Sequence, residues 1–150
     1  LRVRFGAARA FARALGLPEA AARPDGERLA LRLARAQWLR DAGDLRGSFG
    51  AHLALWNDGQ HSANPIMISV GLQLAAWHPV SPDCTAKLAV CRRVIEMLRD
   101  VAPGPTRDGP WSADDRVQAL RRLEAVLIES PPTCDGATLL LRQVRAELIR

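Results

Sequence analysis

The sequence predicts an all-α protein, a compact bundle of about six or seven amphipathic helices around a central apolar helix at roughly 65–78. Three observations predict it. Clusters of Gly, Pro, Asn and Asp cut the chain into runs of roughly 10–20 residues, a helix length rather than a strand length. Within those runs, apolar residues recur at steps of three and four, which aligns them on one helical face. Strict apolar/polar alternation with β-branched enrichment is found nowhere.

Bulk composition sets the frame. A chain of 150 residues, 48% hydrophobic and 25% charged, has the make-up of one globular domain and is read as a single all-α domain over 1–150. It opens at Leu1 without a Met, which fits a trimmed chain, a processed chain or a piece of a longer one. Arg2, Arg4, Arg9 and Arg13 interrupt any signal-peptide pattern. Cys84, Cys91 and Cys134 form no CxxC pair, and an odd cysteine count argues against a disulfide framework and for a reducing, cytoplasmic compartment. Cys84 and Cys91 share one predicted helix, ~10 Å apart along its axis at ~1.5 Å per residue, too far to bridge.

Taken in order, Gly16, Pro18 and Pro24 close a first segment. Leu31, Ala34 and Trp38 mark the stripe of the next, which stops at Gly43 and Asp44. A third ends at Asn57, Asp58 and Gly59. Asn64 before Pro65 places a capping acceptor ahead of a proline at the first helical position, where its missing N–H costs nothing. The helix that follows is apolar nearly all round, and 59–82 contains no Lys, Arg, Asp or Glu. That pattern marks a helix enclosed by others, or a surface covered by a second copy of the chain. A bilayer span needs ~20 apolar residues, more than this run provides, so no membrane is expected.

Ser81 and Pro82 repeat the start signal before a stripe of Cys84, Leu88, Cys91, Ile95 and Leu98. Ser112, followed by Asp114 and Asp115, puts a cap and two carboxylates at the positive end of a helix dipole. Ala113, Val117, Leu120, Leu123 and Leu127 form its stripe; Ala137, Leu141, Val144 and Leu148 form the last. These runs pair as 27–42 with 45–56, 65–78 with 82–101, and 113–129 with 134–150, so antiparallel helical hairpins are the alternative to a simple bundle. The residues around Cys84 (SPDCTAKL) loosely match those around Cys134 (PPTCDGATL), 50 positions on. The turn from Asp41 to Leu45 is similar to the one joining paired helices in tetratricopeptide repeats. Arg32, Arg35 and His52 fall where that repeat places buried or aromatic groups, and no period of about 34 residues exists, so that family is not assigned.

Chemistry is mostly excluded. The chain has no Gly-rich phosphate loop, HExxH, GxSxG or EF-hand spacing. His52, His61, Cys84 and Cys91 converge on a metal only if the fold gathers them, and the cysteines already fit an apolar stripe. Asp58, His61 and Ser62 are neighbours in a polar turn, not distant groups held by a scaffold. No catalytic residue, metal ligand or cofactor is therefore assigned, and the protein is expected not to be an enzyme.

Charge is uneven. Residues 1–46 carry ten Arg against five acids, which accounts for the whole net charge of +5. Twenty Arg against a single Lys, Lys87, also reflect a composition bias. Arg2, Arg9 and Arg13 share one helical face, and Arg28, Arg32 and Arg35 another, giving six guanidinium groups suited to phosphates. Trp38 and Trp77 lie on apolar faces, while Trp56 at a helix end and Trp111 before a cap are candidate partner anchors. The expected function is a helical protein–protein interaction or scaffold domain. Nucleic-acid binding through the Arg-rich first third is the alternative.

Overall fold

The structure is a computed structural model that describes residues 25–77, 84–104, 111–131 and 134–150. Those residues form α-helices and no strand, so the all-α expectation holds. The helices are α1 (Asp25–Asp41), α2 (Leu45–Gly59), α3 (Pro65–Trp77), α4 (Thr85–Asp100), α5 (Ala113–Ile128) and α6 (Ala137–Ile149). The chain divides into two compact units, Leu1–His61 and Ser62–Arg150.

In the first unit α1 and α2 make an antiparallel hairpin. Ser48 Oγ donates to Ala36 O at 2.7 Å, and Arg32 meets Asp58 at 3.0 Å, so contacts step back along α1 as they advance along α2. The turn is built by Gly43, whose φ of 90° is a left-handed conformation that a Cβ disfavours. It lets Gly43 N–H reach Arg40 O and Asp44 N–H reach Leu39 O, satisfying two carbonyls at the end of α1. Asp44 then caps α2 by accepting from Gly47 N–H at 2.8 Å.

The second unit is two hairpins, α3–α4 and α5–α6, with α3 packed on α5 and α4 on α6. The direction of each helix follows from its end contacts. Gly136, ahead of α6, lies against Leu88 in the first turn of α4, while Arg99 in the last turn of α4 reaches Glu147 in the last turn of α6 at 2.9 Å. α4 and α6 therefore run parallel. Arg116 in the first turn of α5 reaches Glu147 at 2.8 Å and Leu98 O at 3.3 Å, so α5 runs opposite to both. The hairpin arrangement weighed from sequence is thus the one found within this unit.

Local signals explain the helix starts. Asn64 Oδ1 accepts from Met67 N–H at 2.9 Å, as a cap before Pro65 should. Ser112 and Asp115 form a reciprocal capping box on α5. The Ser81–Pro82 signal lies outside the described residues; α4 begins at Thr85 after Cys84.

Two expectations are corrected. Cys84 is not a free thiol on an apolar stripe: it bonds Cys134, with Cα atoms 5.5 Å apart, within the range a disulfide needs. Residues 50 apart in sequence meet because the two hairpins stack in register, a proximity that spacing along one helix does not reveal. Secondly, α3 is not enclosed on all sides. It buries Met67, Ile68, Val70, Leu72 and Leu74 against α4 and α5 but leaves Ser69 and Ala76 exposed. Among the described residues no helix is long and apolar enough to cross a membrane.

Candidate functional site

The side of α3 left open forms a groove with α5. Pro65, Ile68, Ser69 and Leu72 line one wall, and Trp111, Asp115, Gln118, Ala119 and Arg122 the other, around a volume of about 250 Å³. Both walls come from the N-terminal halves of their helices, so α3 and α5 run side by side in the same direction. Ile68, Leu72 and Ala119 are buried and make an apolar floor, while Ser69, Gln118 and Arg122 are exposed on the rim. Asp115 is committed to the helix cap: its Oδ2 accepts from Ser112 N–H at 2.8 Å and Ser112 Oγ–H at 3.0 Å. Arg122 is thus the charged rim group with donors to offer a visitor.

Trp111, one of the two anchor candidates, lines this groove. Its carbonyl accepts from Gly104 N–H at 2.7 Å and so draws the segment after α4 onto the start of α5. Its buried indole N–H finds no acceptor among the described residues. The other candidate, Trp56, is only 4% exposed and leaves a partner no ring surface to grip. The reason is spacing: Ser48, His52, Leu55, Trp56 and Gly59 form the buried stripe of α2. Trp38 and Trp77, read as core, are half-buried.

The six arginines are brought together only in part. Arg2, Arg9 and Arg13 lie outside the described residues. Arg28, Arg32 and Arg35 are exposed on α1, but Arg32 is engaged by Asp58 of α2, so an acid already answers part of that charge.

Two groups with catalytic potential, His52 and Cys91, are buried. His52 is 1% exposed and its Nδ1 lies 2.8 Å from Ser48 O, an acceptor, so Nδ1 carries the proton. That nitrogen cannot also take a proton from Ser48 Oγ, 3.4 Å away, whose own hydrogen goes to Ala36 O. No serine–histidine dyad is poised here. Burial lowers the His52 pKa, opposed by the Ser48 hydrogen bond and reinforced by Arg40. Cys91 is buried, and desolvation pushes its thiol up to about 11, which leaves it unreactive. Of the four residues weighed as metal ligands and not assigned, Cys84 is bonded to Cys134, and no group of three or more ligating side chains forms among the described residues.

Sequence reasoning missed Ile68, Ser69, Leu72, Gln118 and Arg122. The signal was faint: Asp115, Gln118 and Arg122 step by three and four along one polar face of α5, the usual mark of a solvated surface. Only the neighbouring α3 turns that face into a wall. No protein-family model, curated protein or solved structure matches the chain.

Proposed function

We propose that the protein is a non-enzymatic interaction domain that binds another protein through the groove between α3 and α5. The observation that carries this is the groove of about 250 Å³ between α3 and α5, where the exposed groups Ser69, Gln118 and Arg122 stand at the rim and the α3 wall is free of charge. Burying one apolar side chain of a partner there gives ~1.5–3 kcal/mol, and a carboxylate or carbonyl alongside it meets Arg122. Such a partner is a peptide segment with an apolar anchor and an acceptor nearby.

The test is selection of peptides from a displayed library on the full chain, followed by affinity measurement on two variants. Ser69→Trp fills the groove from its exposed rim, and Arg122→Glu reverses its charge. Selected peptides should weaken about tenfold or more on Ser69→Trp, and acidic ones should also weaken on Arg122→Glu. Peptides that bind both variants as they bind the parent remove the groove from consideration.

A second function, phosphate contact with nucleic acid, is favoured by the common exposure of Arg28, Arg32 and Arg35 on α1. It calls for binding that falls steeply with salt and is lost when all three are changed to Glu. Groove binding of an apolar anchor is indifferent to both.

A further inference from the structure

We propose that the Cys84–Cys134 disulfide is a redox-operated clasp on the two stacked hairpins of the second unit, closed under oxidising conditions and opened by a dithiol reductant. The inference is independent of what the groove binds.

The first support is position. The bond joins the starts of α4 and α6, the same end of two parallel helices, while the opposite end is tied by Arg99 and Arg116 on Glu147. Opening the bond frees one end and leaves the other held, which loosens the stack without dissolving it. The second support is what the helix starts forgo. Among the described residues the N-cap positions of α4 and α6 make no side-chain cap bond of their own, and both helices are entered through left-handed backbone, Cys84 at φ 51° and Gly136 at φ 96°. Left-handed backbone is unfavourable for a residue with a Cβ. Cys84 therefore leaves that conformation more readily once its sulfur is released.

The third support is chemical. Either released thiolate sits at a helix start, where the dipole favours negative charge, but only Cys84 has a cation on the first turn of its own helix, Lys87. That makes Cys84 the better leaving group and directs attack to the other sulfur. The reductant's thiolate bonds to Cys134 Sγ as the Cys84–Cys134 bond breaks, and Cys84 departs as thiolate. The reductant's second thiolate then attacks its own sulfur in the mixed disulfide, releasing Cys134 as thiolate and the reductant as its disulfide. Two electrons pass to the protein, and the two protons lost by the dithiol are available to the two cysteines. Cys84 is 2% and Cys134 5% exposed, so exchange follows local opening of these helix starts. Cys91, mid-helix and with its thiol pushed up to about 11, does not compete.

The experiment equilibrates the full chain across graded ratios of reduced to oxidised dithiothreitol. Thiols are counted by alkylation after acid quench and unfolding, and hydrogen exchange is read in parallel on peptides from α4 and α6. One thiol should be found at the oxidising end and all three at the reducing end of the range. Exchange in the first turns of α4 and α6 should be about tenfold faster, or more, in the reduced chain. Cys91→Ser should follow the parent, and the double variant Cys84→Ser, Cys134→Ser should exchange fast at every ratio. Three thiols at every ratio, or exchange that ignores the ratio, overturns the proposal.

Discussion

Replacing Glu147 by Gln should destabilise the α5–α6 end of the second unit far more than the same change at Glu124, although each glutamate is held by arginines from two helices. Glu147 accepts from Arg99 at 2.9 Å and from Arg116 at 2.8 Å, with Arg150 at 3.4 Å. Burial alone would raise its pKa; hydrogen bonding and charge from Arg99, Arg150 and Arg116 overcome that and hold the carboxyl below its ordinary 4.5. The magnitude turns on which partners are shielded from water. Arg150 is 73% exposed and its pair counts for little. Arg99 is 45% exposed and is discounted by solvent screening. Arg116 is 18% exposed against a carboxylate 5% exposed, so this pair resembles a buried one.

Glutamine keeps one acceptor and the side-chain volume but leaves the Arg116 guanidinium without its counter-charge, at a cost of about 2 kcal/mol. That corresponds to roughly 30-fold faster amide exchange in α6 at neutral pH, if those amides exchange through opening of this hairpin. Glu124, whose partners Arg121 and Arg145 are 64% and 55% exposed, should show no measurable change on substitution. Because the folded pKa of Glu147 is depressed, its contribution is present above pH 4.5 and is lost as pH falls through the folded value. Glu147→Gln should therefore flatten the acid limb of stability against pH. Equal exchange rates for the two variants would refute the reasoning, since they would show that burial does not distinguish the pairs.

Three further outcomes are expected. Gly50→Ala, with open space around the new Cβ, should stabilise α2 by about 0.5–1 kcal/mol, whereas Gly47→Ala should not, because its Cβ collides with the Asp44 carboxylate that caps the helix; thermal melts of both variants decide it. His52 has a folded pKa below its ordinary 6.5, so the unfolded chain takes up the proton first and stability should decline as pH drops below 6.5. Melting temperatures from pH 7.5 to 5.5 should show a shallower slope for His52→Gln, and identical slopes would exclude the histidine as the cause. The disulfide closes a loop of about 50 residues, for which chain entropy gives ~4 kcal/mol of stability; urea titrations of oxidised and reduced chain that coincide would contradict it.

Much of this architecture was legible because it depends on local rules. Asn64 before Pro65 and Ser112 with two following carboxylates announced the starts of α3 and α5, and each cap bond is present. Gly43 announced the turn after α1 because few other residues tolerate its backbone. The steps of three and four named Leu88, Cys91, Ile95 and Leu98 as one face, and all four are buried. Trp111 was singled out and does line the groove, whereas Trp56, chosen for its place at a helix end, points inward.

By itself, then, the sequence determined helix type, helix limits to within a few residues and the buried face of α4, since these are settled by dihedrals, caps and periodicity; it named Val117 on α5, which is exposed, and Leu141 and Leu148 on α6, where Leu140 and Glu147 are the buried ones. Tertiary structure alone decided which faces meet. It brought Cys134 to Cys84 across 50 residues, joined Arg99 and Arg116 on Glu147, and set α3 beside the polar face of α5 to make a groove. Such contacts depend on how one hairpin stacks on another, and periodicity is blind to that because every well-formed stripe looks alike before its partner is known.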